Sequence, residues 1–416
     1  MSISAILSVT IVLAALFAYI NHRVIKWPPT IGIMVISLGM SVLFIILGKL
    51  CPAIVSKPLQ LVLSIDFQKV LMNFMLSFLL FAGAIHIDAD QLKREKWPIL
   101  VLSTAGTLIS TAIVGTITWL LFTLFHLPIP LIYCLLFGAL ISPTDPIAVL
   151  AILRQARIPA SLELKISGES LFNDGVAVVV FVTLLEAAHS GSATIDYASV
   201  GKLFLQEAVG GILFGMALGY MGYYALRPID DYKVEVLTTL AMVMGGYFIA
   251  GLLHVSGPLA MVVAGIITGN KIKQQALSTI SRDYLSKFWE LIDEILNAVL
   301  FLLMGLEMLL IKVNTIVLVI GIICILVVLL ARWISVFLPV CLLRIKIRFE
   351  NHAVAILTWG GLRGALSVAL ALSLTSSMYR DEFLLITYMV VVFSILVQGL
   401  TIGHFTRRLL RKPKIR

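Results

Sequence analysis

Thirteen apolar runs, most of them long enough to cross a bilayer, constrain the fold of this 416-residue chain more than any other feature. A hydrocarbon core about 30 Å thick requires roughly 20 apolar residues per helix, and the helix must satisfy its own backbone groups there. The sequence therefore predicts an all-α polytopic membrane protein with about 13 transmembrane helices. The runs are residues 4–20, 31–48, 68–87, 98–125, 130–153, 164–188, 201–226, 235–253, 257–270, 288–311, 313–342, 351–375 and 383–405.

The distribution of Lys and Arg between these runs predicts the orientation. Cytoplasmic loops carry an excess of basic residues. With the N-terminus outside, 23 of the 31 basic residues fall in cytoplasmic connections or the tail and 6 fall outside. We therefore expect a multi-pass protein of the plasma (inner) membrane with a cytoplasmic C-terminus. This topology and anionic lipid explain the net charge of +9, so no nucleic-acid partner is expected.

Two of the apolar runs are interrupted near the middle by residues that break helices. The motif SPTDP at 142–146 contains Pro143 and Pro146, and each proline removes a backbone donor and clashes with the preceding turn. The motif GGLRG at 360–364 contains three glycines, each of which lowers helix propensity by roughly 1 kcal/mol. The sequence therefore predicts broken helices in spans five and twelve.

The two breaks lie seven spans apart, so the second broken helix runs opposite to the first. This arrangement is typical of an inverted-topology repeat. Opened backbone at membrane depth is tolerated only where it is buried in protein or lines a cavity, and paired interruptions point to the binding site of a secondary transporter. We therefore expect inverted repeats whose breaks form a transport site.

Two aspartates lie near the middle of apolar runs, where an ionised carboxylate costs roughly 2.5 to 3.5 kcal/mol. Asp145 is in the first break, and Asp174 is in the motif GESLFNDG at 168–175. Ser170 is four residues before Asp174 and shares its helix face. Together with carbonyl groups freed at Thr144, these oxygen ligands suit a small hard cation. The sequence predicts a monovalent-cation and proton site formed by these residues together with Asn173.

Asp174 is the residue predicted to exchange ions. Burial disfavours a carboxylate's charge unless a partner compensates it, so the group holds either a proton or a cation at one time. Competition between the two ions for one carboxylate is sufficient for exchange. Because the neighbouring Asn173 does not titrate, this pair has one titratable group, and electroneutral exchange of one proton for one monovalent cation is predicted.

Two arginines inside the apolar runs need counter-charges. Glu169 lies four residues before Asn173, on a helix face next to that of Asp174. It lies at a depth that Arg332 can reach by snorkelling. We therefore predict a structural Glu169–Arg332 ion pair. Arg363 is predicted to stabilise carbonyl groups exposed at the second break.

Two other functional classes and one other ion match parts of this pattern. An intramembrane aspartyl protease needs two aspartates that share a proton, in Tyr-Asp and Gly-x-Gly-Asp contexts. Neither context surrounds Asp145 or Asp174. A cation channel needs a filter-like repeat or a pore motif, which the sequence lacks. A K+/H+ antiporter stays open as an alternative to exchange of Na+ or Li+, because side chains alone do not fix the cavity size. We expect a transporter rather than an enzyme, with no cofactor besides the transported ions and H+.

Five segments, taken in order, match the motifs of one known family. They are SPTDP at 142–146, GESLFNDG at 168–175, FWELIDEILNAVLFLLMGLEM at 288–308, LLARWISVF at 329–337 and WGGLRGALSVALAL at 359–372. Together they resemble the monovalent cation:proton antiporter-1 family, and within it the bacterial NhaP-type sodium/proton antiporters. Each segment alone is a weak signal, whereas their order and spacing over nearly the whole chain are highly specific.

The resemblance implies a thirteen-helix fold in which the broken helices cross and a core bundle moves relative to a scaffold in an elevator-like way. The core is expected at 98–188 (spans four to six) and 313–405 (spans eleven to thirteen). Residues 1–97 (spans one to three) and 189–312 (a linker helix and spans up to ten) are expected to form the scaffold with the homodimer interface. Residues 406–416 are expected to form a short basic cytoplasmic tail.

The resemblance also implies the roles of individual residues. Asp174 is implied to be the exchanging carboxylate, and the Glu169–Arg332 ion pair is implied to lie near Asn173. A role in sodium and pH homeostasis is implied as well. The residues implied to help Asp174 bind the ion are Asp145, Ser170 and Thr144.

Overall fold

The computed structural model describes residues 3–50, 67–156, 158–189, 197–271, 279–347 and 349–410, and these are helical almost throughout. Each of the thirteen predicted runs corresponds to a helix or to a broken helix. The helices are α1 (Ile3–Ile20), α2 (Pro29–Leu50), α3 (Phe67–Ile85), α4 (Ala89–Arg94), α5 (Lys96–Leu124), α6 (Leu131–Ile141), α7 (Ile147–Gln155), α8 (Ala160–His189), α9 (Tyr197–Leu226), α10 (Tyr232–Leu252), α11 (Gly257–Lys271), α12 (Thr279–Leu306), α13 (Thr315–Leu343), α14 (Ala353–Trp359), α15 (Ala365–Leu372) and α16 (Arg380–Leu410).

Nine helices among the described residues are long and apolar enough to cross a membrane. The other four predicted spans fall short for identifiable reasons. Spans five and twelve are divided into α6 with α7 and α14 with α15, α11 has only 15 residues, and α12 carries several charged residues. The described part of the chain therefore has the all-α, multi-pass architecture that its sequence predicts.

Both predicted helix breaks are confirmed. In the first, α6 ends at Ile141 and α7 begins at Ile147, so the interruption contains Pro143 and Pro146. In the second, α14 ends at Trp359 and α15 begins six residues later. The breaks meet, because the backbone N–H of Asp145 donates to the carbonyl of Leu362 at 2.8 Å in an antiparallel bridge. The two broken helices therefore cross.

Several helix boundaries differ from the prediction by a few residues, and two of them show helices that extend beyond their apolar parts. The tenth span was predicted to begin at 288, but α12 begins at Thr279, and its extra turns contain a Lys287–Asp283 pair at 2.7 Å. Such polar i,i+4 pairs support a helix without contributing to hydropathy. Similarly, α16 continues to Leu410, so the first residues of the predicted tail at 406–416 are helical, and 411–416 lie outside the described residues.

The helices pack in two groups. In one group, α5 packs against α6, α8 and α13, while α16 packs against α13 and α15. In the other, α3 and α9 pack against α11, and α2 packs against α12. The hydroxyls of Ser37 and Ser41 on α2 donate to the carbonyls of Leu302 at 2.7 Å and Gly305 at 2.9 Å. Both breaks belong to the first group.

Candidate functional site

The opened backbone of the first break is held by side chains of α8. The N–H of Thr144 donates to Asn173 Oδ1 at 3.3 Å, and Thr144 Oγ1 accepts a hydrogen bond from Asn173 Nδ2 at 2.8 Å. The hydroxyls of Thr144 and Ser170 lie 3.0 Å apart. These contacts replace helical hydrogen bonds that Pro143 and Pro146 prevent. The side chain of Asn173 thus contacts Thr144, another residue of the predicted site.

Asp145 is fixed by both of its neighbouring segments. Its Oδ1 accepts from the N–H of Ile147 at 2.9 Å at the start of α7, and its backbone bonds to Leu362 of the other break. Gly364 also approaches it closely, since a Cβ atom at position 364 would lie 2.7 Å from Asp145 Cβ and 3.0 Å from Asp145 Oδ2. Only glycine permits this approach. The partly buried carboxylate therefore has a defined position at the crossing of the breaks.

Asp174 is the carboxylate of this region whose oxygens have the fewest hydrogen-bond and ion-pair partners. It lies partly buried on α8, one helical turn after Ser170. Within the described residues it forms no hydrogen bond and no ion pair, and Asp145 is close enough to repel its charge. A cation or a proton would relieve this repulsion. The free oxygens of Asp174 can therefore bind a small cation, and the charge of Asp145 favours it.

Glu169 and Arg332 form a bidentate ion pair beside this region. Arg332 Nη1 and Nη2 each donate to one carboxylate oxygen of Glu169, the Nη2 bond at 2.9 Å. Arg332 Nε and Nη2 also donate to the carbonyl of Leu357, at 3.3 and 3.1 Å. Glu169 is 1% exposed and Arg332 7%. The pair joins α8, α13 and α14 with its hydrogen-bonding groups largely satisfied, which a buried pair requires.

Arg363 contacts a different set of carbonyls from the predicted one. Its Nη1 donates to the carbonyl of Ser142 and, at 3.1 Å, to that of Pro143. Both carbonyls belong to the first break, so the prediction that Arg363 stabilises the second break was wrong. Because the broken helices cross, a residue of one break reaches the carbonyl ends of the other. Arg363 is 2% exposed and its own N–H donates to Ser394 Oγ at 3.0 Å.

Three residues near the breaks were not identified from the sequence as contributors. Ser394 accepts from the N–H of Arg363, and Gln398 Nε2 donates to the carbonyl of Trp359 at 3.1 Å. A signal was present, since these two polar residues are four apart within an apolar run. Asp293 on α12 is close enough to Asp145 to interact with its charge.

Two crossed broken helices beside paired carboxylates, in an all-helical membrane chain, are the architecture of a secondary transporter. A solved structure titled as the sodium proton antiporter MjNhaP1 from Methanocaldococcus jannaschii has the same fold. Its TM-score is 0.76 over 98% of both chains, at 20% sequence identity.

Sequence comparisons identify the family. A family model described as sodium/hydrogen exchanger, transmembrane, matches residues 11–408. The Na(+)/H(+) antiporter NhaP of Pseudomonas aeruginosa is 49% identical over 96% of this chain and 95% of its own. The Na(+)/H(+) antiporter NhaH of Halobacillus dabanensis is 36% identical over 82% of this chain and 84% of its own. The chain belongs to the sodium/hydrogen exchanger family, which is a family of transporters.

Proposed function

We propose that this protein exchanges one Na+ for one H+ across the membrane, accepts Li+ as well, and uses Asp174 as the shared carboxylate. The observation that carries the proposal is the position of Asp174. It is partly buried on α8, has no hydrogen-bond partner among the described residues, and lies near Asp145 at the crossing of two broken helices. The names of the relatives from Pseudomonas aeruginosa and Halobacillus dabanensis support sodium as the cation.

The cation ligands are the carboxylates of Asp174 and Asp145 together with oxygens of Ser170 and Thr144. Asn173 holds Thr144 in place through its two hydrogen bonds. Carboxylate, hydroxyl and carbonyl oxygens are hard ligands that suit an alkali cation. Water completes the coordination shell. In this proposal the cation is the transported substrate and no cofactor takes part.

The charges at the site favour a one-to-one exchange. Among the site groups on α8, α13 and the two breaks, Asp145, Asp174 and Glu169 are negative when ionised and Arg332 and Arg363 are positive, which leaves one negative charge. Asp293, on α12, is outside this set. Either one monovalent cation or one proton neutralises this set. The loaded site is then neutral in both half-cycles, so exchange moves no net charge. Cation binding displaces the proton on one side of the membrane, and proton binding displaces the cation on the other.

The remaining charged residues support the site without carrying ions. The Glu169–Arg332 pair holds α8 against α13 and α14, and Arg363 braces the first break through the carbonyls of Ser142 and Pro143. We assign these residues structural roles. Their replacement should therefore impair assembly more than cation affinity.

The two packing groups suggest how access alternates. Residues 98–188 and 313–405 form the proposed core, which contains both breaks, and residues 1–97 and 189–312 form the proposed scaffold and homodimer interface. Helix packing within each group supports this division. The core moves against the scaffold in an elevator-like manner. We place the protein in the plasma (inner) membrane. Its N-terminus is outside, and its C-terminus, with the tail 406–416, is in the cytoplasm.

Proton flux in everted membrane vesicles with a pH-sensitive dye tests the proposal. Na+ and Li+ should each release protons from wild-type vesicles, and Asp174→Asn should abolish both responses. The matched control is Asp283→Asn, since Asp283 is exposed and pairs with Lys287 at the surface. A sodium response retained by Asp174→Asn would disprove the role of this carboxylate. A response to K+ alone would replace sodium by potassium as the substrate.

A further inference from the structure

A groove of about 420 Å³ opens between α13, α14 and α16, outside the candidate ion site. Its lining is largely apolar, with two basic residues. The rings of Trp333 and Phe337, one turn apart on α13, stack with their centroids 5.1 Å apart, and both side chains are exposed. Trp359 and Phe405 form a second aromatic pair at 5.8 Å. The groove therefore presents aromatic and apolar side chains to a bound molecule.

Arg344 and His352 supply the basic end of the groove. Arg344 directly follows α13 and His352 directly precedes α14, so both lie in the connection between these helices, and both are exposed. Among the described residues, neither has an ion-pair partner. Glu350, in the same connection, is bound by Lys165 Nζ at 2.9 and 3.0 Å. Its charge is already compensated and does not neutralise the basic end.

The spacing of three groove residues along α13 matches the thickness of one leaflet of a bilayer. Phe337 lies seven residues before Arg344, and Trp333 lies eleven residues before it. At 1.5 Å per residue these separations are about 10 and 16 Å along the helix. Half of a 30 Å hydrocarbon core is about 15 Å. A molecule with its anionic group at Arg344 would therefore extend its apolar part past both aromatic side chains.

We propose that this groove binds an anionic phospholipid, with Arg344 and His352 holding the phosphate of the headgroup and the aromatic pairs contacting an acyl chain. Arginine donates paired N–H groups to phosphate oxygens, and histidine has a ring N–H donor in either protonation state. The basic end lies on the predicted cytoplasmic side, where the leaflet carries anionic lipid. Charge complementarity therefore favours this occupant over a neutral lipid.

A lipid in this groove would contact the sequence neighbours of the residues that form the buried ion-pair network. Trp333 follows Arg332, and Thr358 follows Leu357, whose carbonyl accepts hydrogen bonds from Arg332. The lipid would brace α14 against α13 at the level of this contact. Lipid binding does not depend on the proposed ion exchange, so it is measured directly rather than through transport.

The test measures the Tm of the full-length protein in detergent micelles with added phosphatidylglycerol or phosphatidylcholine. Phosphatidylglycerol should raise the Tm, and zwitterionic phosphatidylcholine should raise it much less. About fivefold more phosphatidylglycerol should be needed for the same shift in R344Q, which removes a full positive charge, and a smaller increase should be needed in H352Q. The matched control is Arg227→Gln, because Arg227 is exposed after α9 on the same predicted side. It should respond like the wild type.

Size-exclusion chromatography and the Tm without added lipid separate lipid binding from folding. If the double variant R344Q/H352Q does not fold, H352Q and Arg344→Lys replace it. H352Q should weaken the response, and Arg344→Lys, which keeps the charge, should retain most of it. Three results would overturn the proposal: equal shifts with both lipids, an unchanged response in folded R344Q/H352Q, or the same shift with inorganic phosphate, which would indicate a site for free anions.

Discussion

Asp145 and Leu362 are joined by a backbone hydrogen bond of 2.8 Å at the point where the two broken helices cross. The residue after Leu362, Arg363, donates to the carbonyls of Ser142 and Pro143 on the other break. The two interruptions are therefore one structural unit, in which each break supplies partners for the backbone groups that the other leaves open. A structural change in the second break should therefore shift the carboxylate of Asp145.

Gly364→Ala should disturb the site through this contact. The added methyl group would lie 2.7 Å from Asp145 Cβ, so Asp145 or the second break must shift. We expect overpacking to cost about 1 to 3 kcal/mol of stability, with a raised sodium KM for proton flux in vesicles. Gly245→Ala is the control, because a Cβ at position 245 has open space around it. If the sodium KM of Gly364→Ala equals that of the wild type, the close approach of Gly364 to Asp145 does not matter for ion binding.

Glu169→Gln and Arg332→Gln should each strongly destabilise the protein. The double variant should lose less stability than the two single variants lose in sum. Each single change leaves one buried charge without its partner, which costs about 3 to 5 kcal/mol. The double variant removes both charges, so its loss should be well below the sum of the two. Thermal unfolding of all four proteins in detergent gives the coupling. A well-folded single variant with a selective loss of sodium affinity would refute the structural role.

Much of the transmembrane architecture was predictable because its causes are local. Pro143 and Pro146 remove donors wherever they stand, so the first break follows from the chain itself. Hydropathy located the apolar part of each helix, but it missed the polar turns at the start of α12, where Lys287 pairs with Asp283. Asp145, Asp174 and Ser170 were predicted as site residues because ionisable or polar side chains at membrane depth are costly and usually functional.

The partners within the site were less predictable, because they depend on how distant segments meet. Arg363 was expected to act on its own break, but the crossing brings the Ser142 carbonyl to it. Asn173 shares a face with Glu169 by spacing, yet the opened backbone at Thr144 offers it both a donor and an acceptor. Helical periodicity states which residues share a face and does not state what lies opposite.

The contacts of Glu350 should make part of the stability pH-dependent. Partial burial would by itself raise the pKa of Glu350, but hydrogen bonds from Ser161 and Lys165 outweigh this effect and lower it below the usual value. A carboxyl group whose pKa is lower in the folded state stabilises the protein above its unfolded pKa. That stabilisation is lost as the pH falls through the lower, folded value.

Glu350→Gln should therefore destabilise the protein at neutral pH, by about 1.5 to 3 kcal/mol for lost hydrogen bonds to a charged group. The difference in Tm between wild type and variant should stay constant from pH 7 down to about 5 and shrink below pH 4.5, the usual pKa of a glutamate. Thermal unfolding across this range measures it, with Glu382→Gln, in the first turn of α16, as the control. A difference that grew as the pH fell would give the opposite sign and contradict the lowered pKa.

Sodium-driven proton flux should be insensitive to membrane potential at saturating Na+. Asp145, Asp174, Glu169, Arg332 and Arg363 together carry one negative charge, which one bound Na+ or one proton neutralises. Moving one uncompensated charge across 100 mV would change the free energy by about 2.3 kcal/mol, and a neutral loaded site avoids this. In proteoliposomes clamped with K+ and valinomycin, initial rates at 0 and about −100 mV should agree within twofold. A sustained transport current, or a rate that follows the imposed potential, would require more than one proton per sodium ion and would rule out the electroneutral cycle.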